Sequence, residues 1–73
     1  MSLSTIEKLG KSIKLRRKQL GITQPDLAEM AEISVNTLYK IERGIANPTF
    51  KVICKLTEII GLEIKLDVKT VKY

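Results

Sequence analysis

Apolar residues recur at helical spacing along most of the chain and at alternate positions near its end. Ile6, Leu9, Gly10, Ile13, Arg17 and Leu20 fall on one face of a 3.6-residue period. Ser4-x-x-Glu7 ahead of them reads as a capping box, in which each side chain covers an otherwise unpaired backbone N–H. Gly21 follows the last of them, and the spacing predicts a helix over about 5–20. Thr23-x-x-Asp26 repeats the capping logic, with Pro25 in the first turn, where its missing N–H does no harm. This second helix, about 24–31, turns Leu27, Ala28 and Ala31 inward, and Ile22 with Leu27 forms a hydrophobic staple. Ser34 caps a third helix, 35–43, stapled by Ile33 and Leu38 and buried through Leu38 and Ile41; Gly44 ends it. Thr49 caps a fourth, 50–60, whose apolar positions are Phe50, Ile53, Leu56 and Ile60, closed by Gly61.

After Gly61 the period changes. Leu62, Ile64, Leu66 and Val68 alternate with Glu63, Lys65, Asp67 and Lys69, the pattern of a half-buried strand over about 62–69. A lone strand leaves its backbone donors and acceptors unsatisfied, and the chain offers no second one. The expected partner is the same segment of a second copy, which makes the fold mainly α with a C-terminal β-strand pairing across a dimer.

Composition narrows the function. The 73 residues, 44% hydrophobic and 29% charged, suit a single domain, 1–73, and are few for a large core. There is no histidine and one cysteine, Cys54, which is read as a small packing residue. The commonest general base, metal ligand and nucleophile activator are therefore missing, and neither an enzyme nor a metal or other cofactor is expected. No apolar run reaches membrane-spanning length and no signal peptide pattern opens the chain, so a cytoplasmic protein without a membrane role is expected. The net charge of +5 is unevenly spread: residues 1–20 hold six Lys or Arg against Glu7 alone, a surface that attracts polyanions.

The informative stretch is Thr23 to Gly44. Two short capped helices joined only by Glu32-Ile33-Ser34 are too tightly linked to pack antiparallel and suit a helix-turn-helix crossing. The second helix of such a pair enters a DNA major groove. Its outward positions hold Ser34, Val35, Asn36, Tyr39, Lys40 and Arg43. Asn pairs bidentately with adenine, Lys donates to guanine acceptors, and Val meets a thymine methyl. Arg17, a cation inside an apolar stripe, needs a buried acidic partner; Glu42 beside Ile41 is the best placed, the alternative being that Arg17 reaches solvent or a phosphate.

The run GITQPDLAEMAEISVNTLYKIERGIANPTFKVICKLTEIIGL, with LRRKQLG before it, resembles the Xre/Cro type of phage-repressor-like helix-turn-helix domain over about residues 6–62. The resemblance rests on "TQ" and "LA" in the second helix, "S" opening the third, then "IERG", "P" and a Leu/Ile-rich last helix. It implies that Val35, Asn36 and Lys40 reach base edges with Ser34 and Tyr39 beside them. It also implies that Thr23, Gln24, Arg43, Asn47, Thr49 and Lys51 hold phosphates, and that Gln24 buttresses the recognition helix. The same resemblance pairs Arg17 with Glu42. Glu32 departs from it, since the family usually has a left-handed Gly there; the cost is about 1 kcal/mol, and the carboxylate should point away from DNA. The tail LEIKLDVKTV is similar to that of HipB-like antitoxins, where such strands pair across a dimer.

The expected function is a sequence-specific transcriptional regulator, a repressor, that binds double-stranded DNA as a homodimer on an inverted-repeat operator. The alternatives are an antitoxin that also regulates its own operon and binds a cognate toxin, and a protein-interaction module that reads no DNA.

Overall fold

The computed structural model describes residues 5–65. Four helices follow one another: α1 (Thr5–Gln19), α2 (Gln24–Met30), α3 (Val35–Arg43) and α4 (Phe50–Ile60). Ser4, the first half of the expected capping box, lies outside the described residues, as do Leu66 and Val68 of the expected strand.

The helix starts are set by hydroxyl caps. Thr23, Ser34 and Thr49 have extended backbones, and their oxygens accept from the N–H groups of Asp26, Thr37 and Val52. The helix ends share one device. Gly21, Glu32, Gly44 and Gly61 all take positive φ. Ile22, Ile33, Ile45 and Leu62, each one residue further on, send their N–H back to Arg17, Ala28, Lys40 and Thr57. This closure ends α1 and α2 one residue earlier than the hydrophobic pattern suggests, because the last apolar residue, Leu20 or Ala31, becomes the cap rather than the final helical turn. Glu32 is the one non-glycine at such a position among the described residues, with φ 59°.

Ile13, Leu27, Ala28, Ala31, Leu38, Ile41, Ile53, Leu56 and Ile60 form the core, with contributions from all four helices. α1 packs on α3 and α4, and α2 packs on the same two helices. Gly10 makes the α1–α3 crossing close: a methyl group built there would overlap the Ile41 carbonyl and lie 2.9 Å from the Glu42 carbonyl oxygen. At the far end of α1, Arg16 Nε donates to the Ile60 carbonyl at 2.8 Å. A cation thus meets the negative end of α4.

Three positions with helical spacing turn out not to be core. Phe50 is 72% exposed, and Ile6 and Leu20 are also exposed. Phe50 is the first residue of α4, ahead of the turn that packs, and Leu20 has already left the helix. Beyond α4, residues 62–65 carry no strand. Leu62 is half-buried against the core, and its N–H is engaged in closing α4, so it has none to give a ladder. Among the described residues no helix is long and apolar enough to cross a membrane.

Candidate nucleic-acid interface

α3 buries Leu38, Ile41 and Glu42 and turns Val35, Asn36, Tyr39, Lys40 and Arg43 outward, all exposed. Seven residues make nearly two turns, so Asn36 and Arg43 share one side of the helix, with Lys40 between them. The outward face carries no acid. Its side chains offer hydrogen-bond donors, the acceptors of Asn36 and Tyr39, and the apolar surface of Val35.

What fixes this face is a buried polar cluster behind it. Arg17 Nε donates to Glu42 Oε2 at 2.7 Å, and Arg17 Nη2 donates to Glu42 Oε1 at 3.0 Å. The two side chains are only 9% and 2% exposed. Gln24 Nε2, from the first turn of α2, donates to the same Glu42 Oε1 at 2.9 Å. Arg17 Nη1 donates to the Ile22 carbonyl at 2.9 Å, which ties in the chain entering α2. One carboxylate on the back of α3 therefore gathers α1, α2 and the connection between them. A bidentate Arg–carboxylate pair constrains orientation as well as distance.

The remaining expected contact residues lie around this face. Thr23, Asn47, Thr49 and Lys51 are exposed, at the starts of α2 and α4 and in the loop between α3 and α4. The Thr23 and Thr49 oxygens accept from their own helices at 3.2 Å, which leaves each hydroxyl hydrogen free to donate outward. Ser34 differs. Its hydroxyl accepts from the Thr37 N–H at 3.0 Å and donates to Thr37 Oγ1 at 2.8 Å, so both functions are used within the helix. Of the residues expected to read bases, Ser34 already has its hydroxyl hydrogen committed within the protein.

Glu32 turns its carboxylate to Lys55 on α4, with Nζ to Oε1 at 3.0 Å, and the same ammonium donates to the Ala31 carbonyl at 3.4 Å. Lys55 thereby closes the end of α2, a role that its place in the sequence does not advertise. Tyr39 and Arg43 are linked as well: Arg43 Nη1 donates to the Tyr39 hydroxyl at 2.7 Å, with the guanidinium 5.6 Å from the ring centroid. Their i, i+4 spacing is the signal by which the sequence could have shown this. Ile64, one of the expected dimer-strand residues, lines an open apolar groove with Ile6, Leu9, Pro48, Phe50 and Ile53.

This arrangement has known counterparts. The model of the helix-turn-helix family HTH_3 matches residues 13–66. A protein of Methanococcus vannielii, named by inference as an HTH-type transcriptional regulatory protein, is 33% identical over 64 residues, 88% of this chain and 20% of its own length. A similarly named protein of Methanocaldococcus jannaschii is 40% identical over 53 residues, 73% of this chain and 17% of its own. The chain thus spans about a fifth of the length of these relatives. Among solved structures, the restriction-modification controller protein C.AhdI of Aeromonas hydrophila superposes with a TM-score of 0.75 at 26% identity, covering 80% of this chain and 88% of that one. With a family match across most of the chain and the crossing of α2 and α3 at its centre, the protein belongs to the helix-turn-helix family of the Xre/Cro type.

Proposed function

We propose that the chain is a sequence-specific DNA-binding regulator of transcription, acting as a repressor in homodimeric form on an inverted repeat. The observation that carries this reading is the division of labour on α3. Its inner side is locked to α1 and α2 through Glu42, and its outer side offers Val35, Asn36 and Lys40 to a groove. Asn36 takes an adenine, Lys40 the acceptors of a guanine, and Val35 a thymine methyl. Thr23, Thr49, Asn47 and Lys51 hold phosphates on either side, with the free hydroxyl hydrogens of the two threonines as donors. Gln24 serves mainly as a buttress, because its amide already donates to Glu42.

Dimerisation rests on the C-terminal segment. Leu62 is tied to the end of α4, so pairing of the alternating segment begins after it, with Ile64 and the residues beyond. Antiparallel pairing about a two-fold axis is self-complementary and sets two recognition helices about 34 Å apart.

Selection from random duplex DNA followed by affinity measurements across a salt series tests the reading. A palindromic consensus and a steep salt dependence are expected. Asn36→Ala should cost about 1–3 kcal/mol on the consensus and relax one base pair, whereas Lys51→Ala should weaken all sequences alike and flatten the salt slope by about one. Wild-type protein that selects no sequence would remove the regulator reading. Removal of residues 66–73 leaves the α4 cap intact; a shortened chain that stays dimeric by sedimentation would remove the strand-paired dimer.

A further inference from the structure

The geometry points to Arg43 as a base-reading residue with guanine as its target, and to Tyr39 as the residue that positions it. This rests on the DNA-binding reading above and reassigns Arg43 from the phosphate contacts expected from the sequence.

Arg43 is the last residue of α3, where a side chain free to extend would reach past the helix end towards a phosphate. It does not extend. Its Nη1 is held at 2.7 Å by the Tyr39 hydroxyl, one turn back, and its guanidinium lies 5.6 Å from the ring centroid. Side chains on a helix already lean towards its N-terminus, and this link fixes Arg43 in that direction. The guanidinium is thus drawn back along the outward face to Tyr39, one turn before it and away from the helix end.

The hydrogen-bond inventory suits a base. A guanidinium has five N–H donors, and the link to Tyr39 uses one. The Nε hydrogen and both Nη2 hydrogens remain, so the Nε/Nη2 edge can still donate in parallel to guanine O6 and N7. Because the tyrosine oxygen accepts from Arg43, its own hydrogen is left to donate to a neighbouring acceptor on the same base step. Arg43 is exposed and pairs with no acid among the described residues, so the DNA, and not a carboxylate, is what its positive charge meets. A planar fork held in advance loses less freedom on binding than an arginine that must be ordered by the DNA.

The test is parallel selection from random duplex DNA, with salt-dependent affinities, for wild type, Arg43→Lys, Arg43→Ala and Tyr39→Phe. Wild type should select a G·C pair at one position of each half-site. Arg43→Lys keeps the charge and loses the fork: the G·C preference should fall by about tenfold or more, with the salt slope unchanged. Tyr39→Phe keeps the ring and loses the hydroxyl, and should lower the same preference on the order of 2- to 10-fold while leaving other positions alone. Melting temperatures should stay near wild type for all three variants, because both side chains are exposed. An unchanged consensus in Arg43→Ala, with affinity reduced equally on every sequence and the salt slope flattened by about one, would make Arg43 a phosphate contact and overturn the assignment. Loss of the G·C preference in Arg43→Lys but not in Tyr39→Phe would overturn the role of Tyr39. A wild type with no consensus at all would instead overturn the regulator reading, and this inference with it.

Discussion

Removing Arg17 should come close to unfolding the protein. Arg17→Met deletes two hydrogen bonds to Glu42 and one to the Ile22 carbonyl, and leaves the Glu42 carboxylate 2% exposed with only the Gln24 amide donating to it. Stranding one member of a buried ion pair costs about 3–5 kcal/mol. A chain of 73 residues has a total stability of about 4–11 kcal/mol, so the loss takes between about a quarter and all of it. Glu42→Leu should be comparably damaging, since it strands the guanidinium instead. The double variant removes both charges and leaves only two neutral groups, the Gln24 amide and the Ile22 carbonyl, without these partners, so it should recover most of the loss. Urea unfolding followed by circular dichroism, run as a double-mutant cycle, measures this directly, and a coupling of at least about 2 kcal/mol is expected. Small additive losses, each below about 1 kcal/mol, would show that water reaches both groups and that the cluster does not brace α3.

Gly10→Ala would gain about 0.5–1 kcal/mol in an isolated helix, but here the new methyl meets the Ile41 and Glu42 carbonyls; the net effect should be a loss of about 1–2 kcal/mol, seen as a fall of roughly 5–15 °C in Tm. A Tm at or above wild type would mean that the α1–α3 crossing opens freely. Glu32→Gly should act in the opposite sense: it relieves a left-handed residue at about 1 kcal/mol and gives up an exposed pair with Lys55 worth less, so the urea midpoint should rise slightly. A clear fall would show that the Lys55 link outweighs the backbone strain.

The helices are legible in the sequence because their ends are written in side-chain chemistry. A Ser or Thr before each of the last three helices and a glycine after α1, α3 and α4 set boundaries that hydrophobic periodicity alone would blur. Periodicity marks an apolar face without saying what covers it, and this is why Phe50 reads as core and yet is open to solvent. Alternation after Gly61 has the same weakness. Leu62 fits a strand by pattern, but its N–H is claimed by α4, a bond that depends on how the helix closes. The charged links divide similarly. Arg17 stands out because a cation in an apolar stripe demands an explanation, whereas Arg16, one of several basic residues in a row, and Lys55 cap distant helix ends that only the folded path brings near.

The Gly10 crossing, the Glu42 cluster and the hydroxyl caps share no residue with the outward set of Asn36, Tyr39, Lys40 and Arg43. Substitutions among those four leave every core contact and every cap in place, and surface changes of that kind shift stability by no more than about 0.5 kcal/mol. If the proposed reading of DNA by these four residues holds, the address that the protein recognises can drift, or be rewritten by design, while the frame stays constant. Duplicated copies could part company in their targets through a handful of exposed positions, and a library confined to those positions would sample new specificities with few misfolded members.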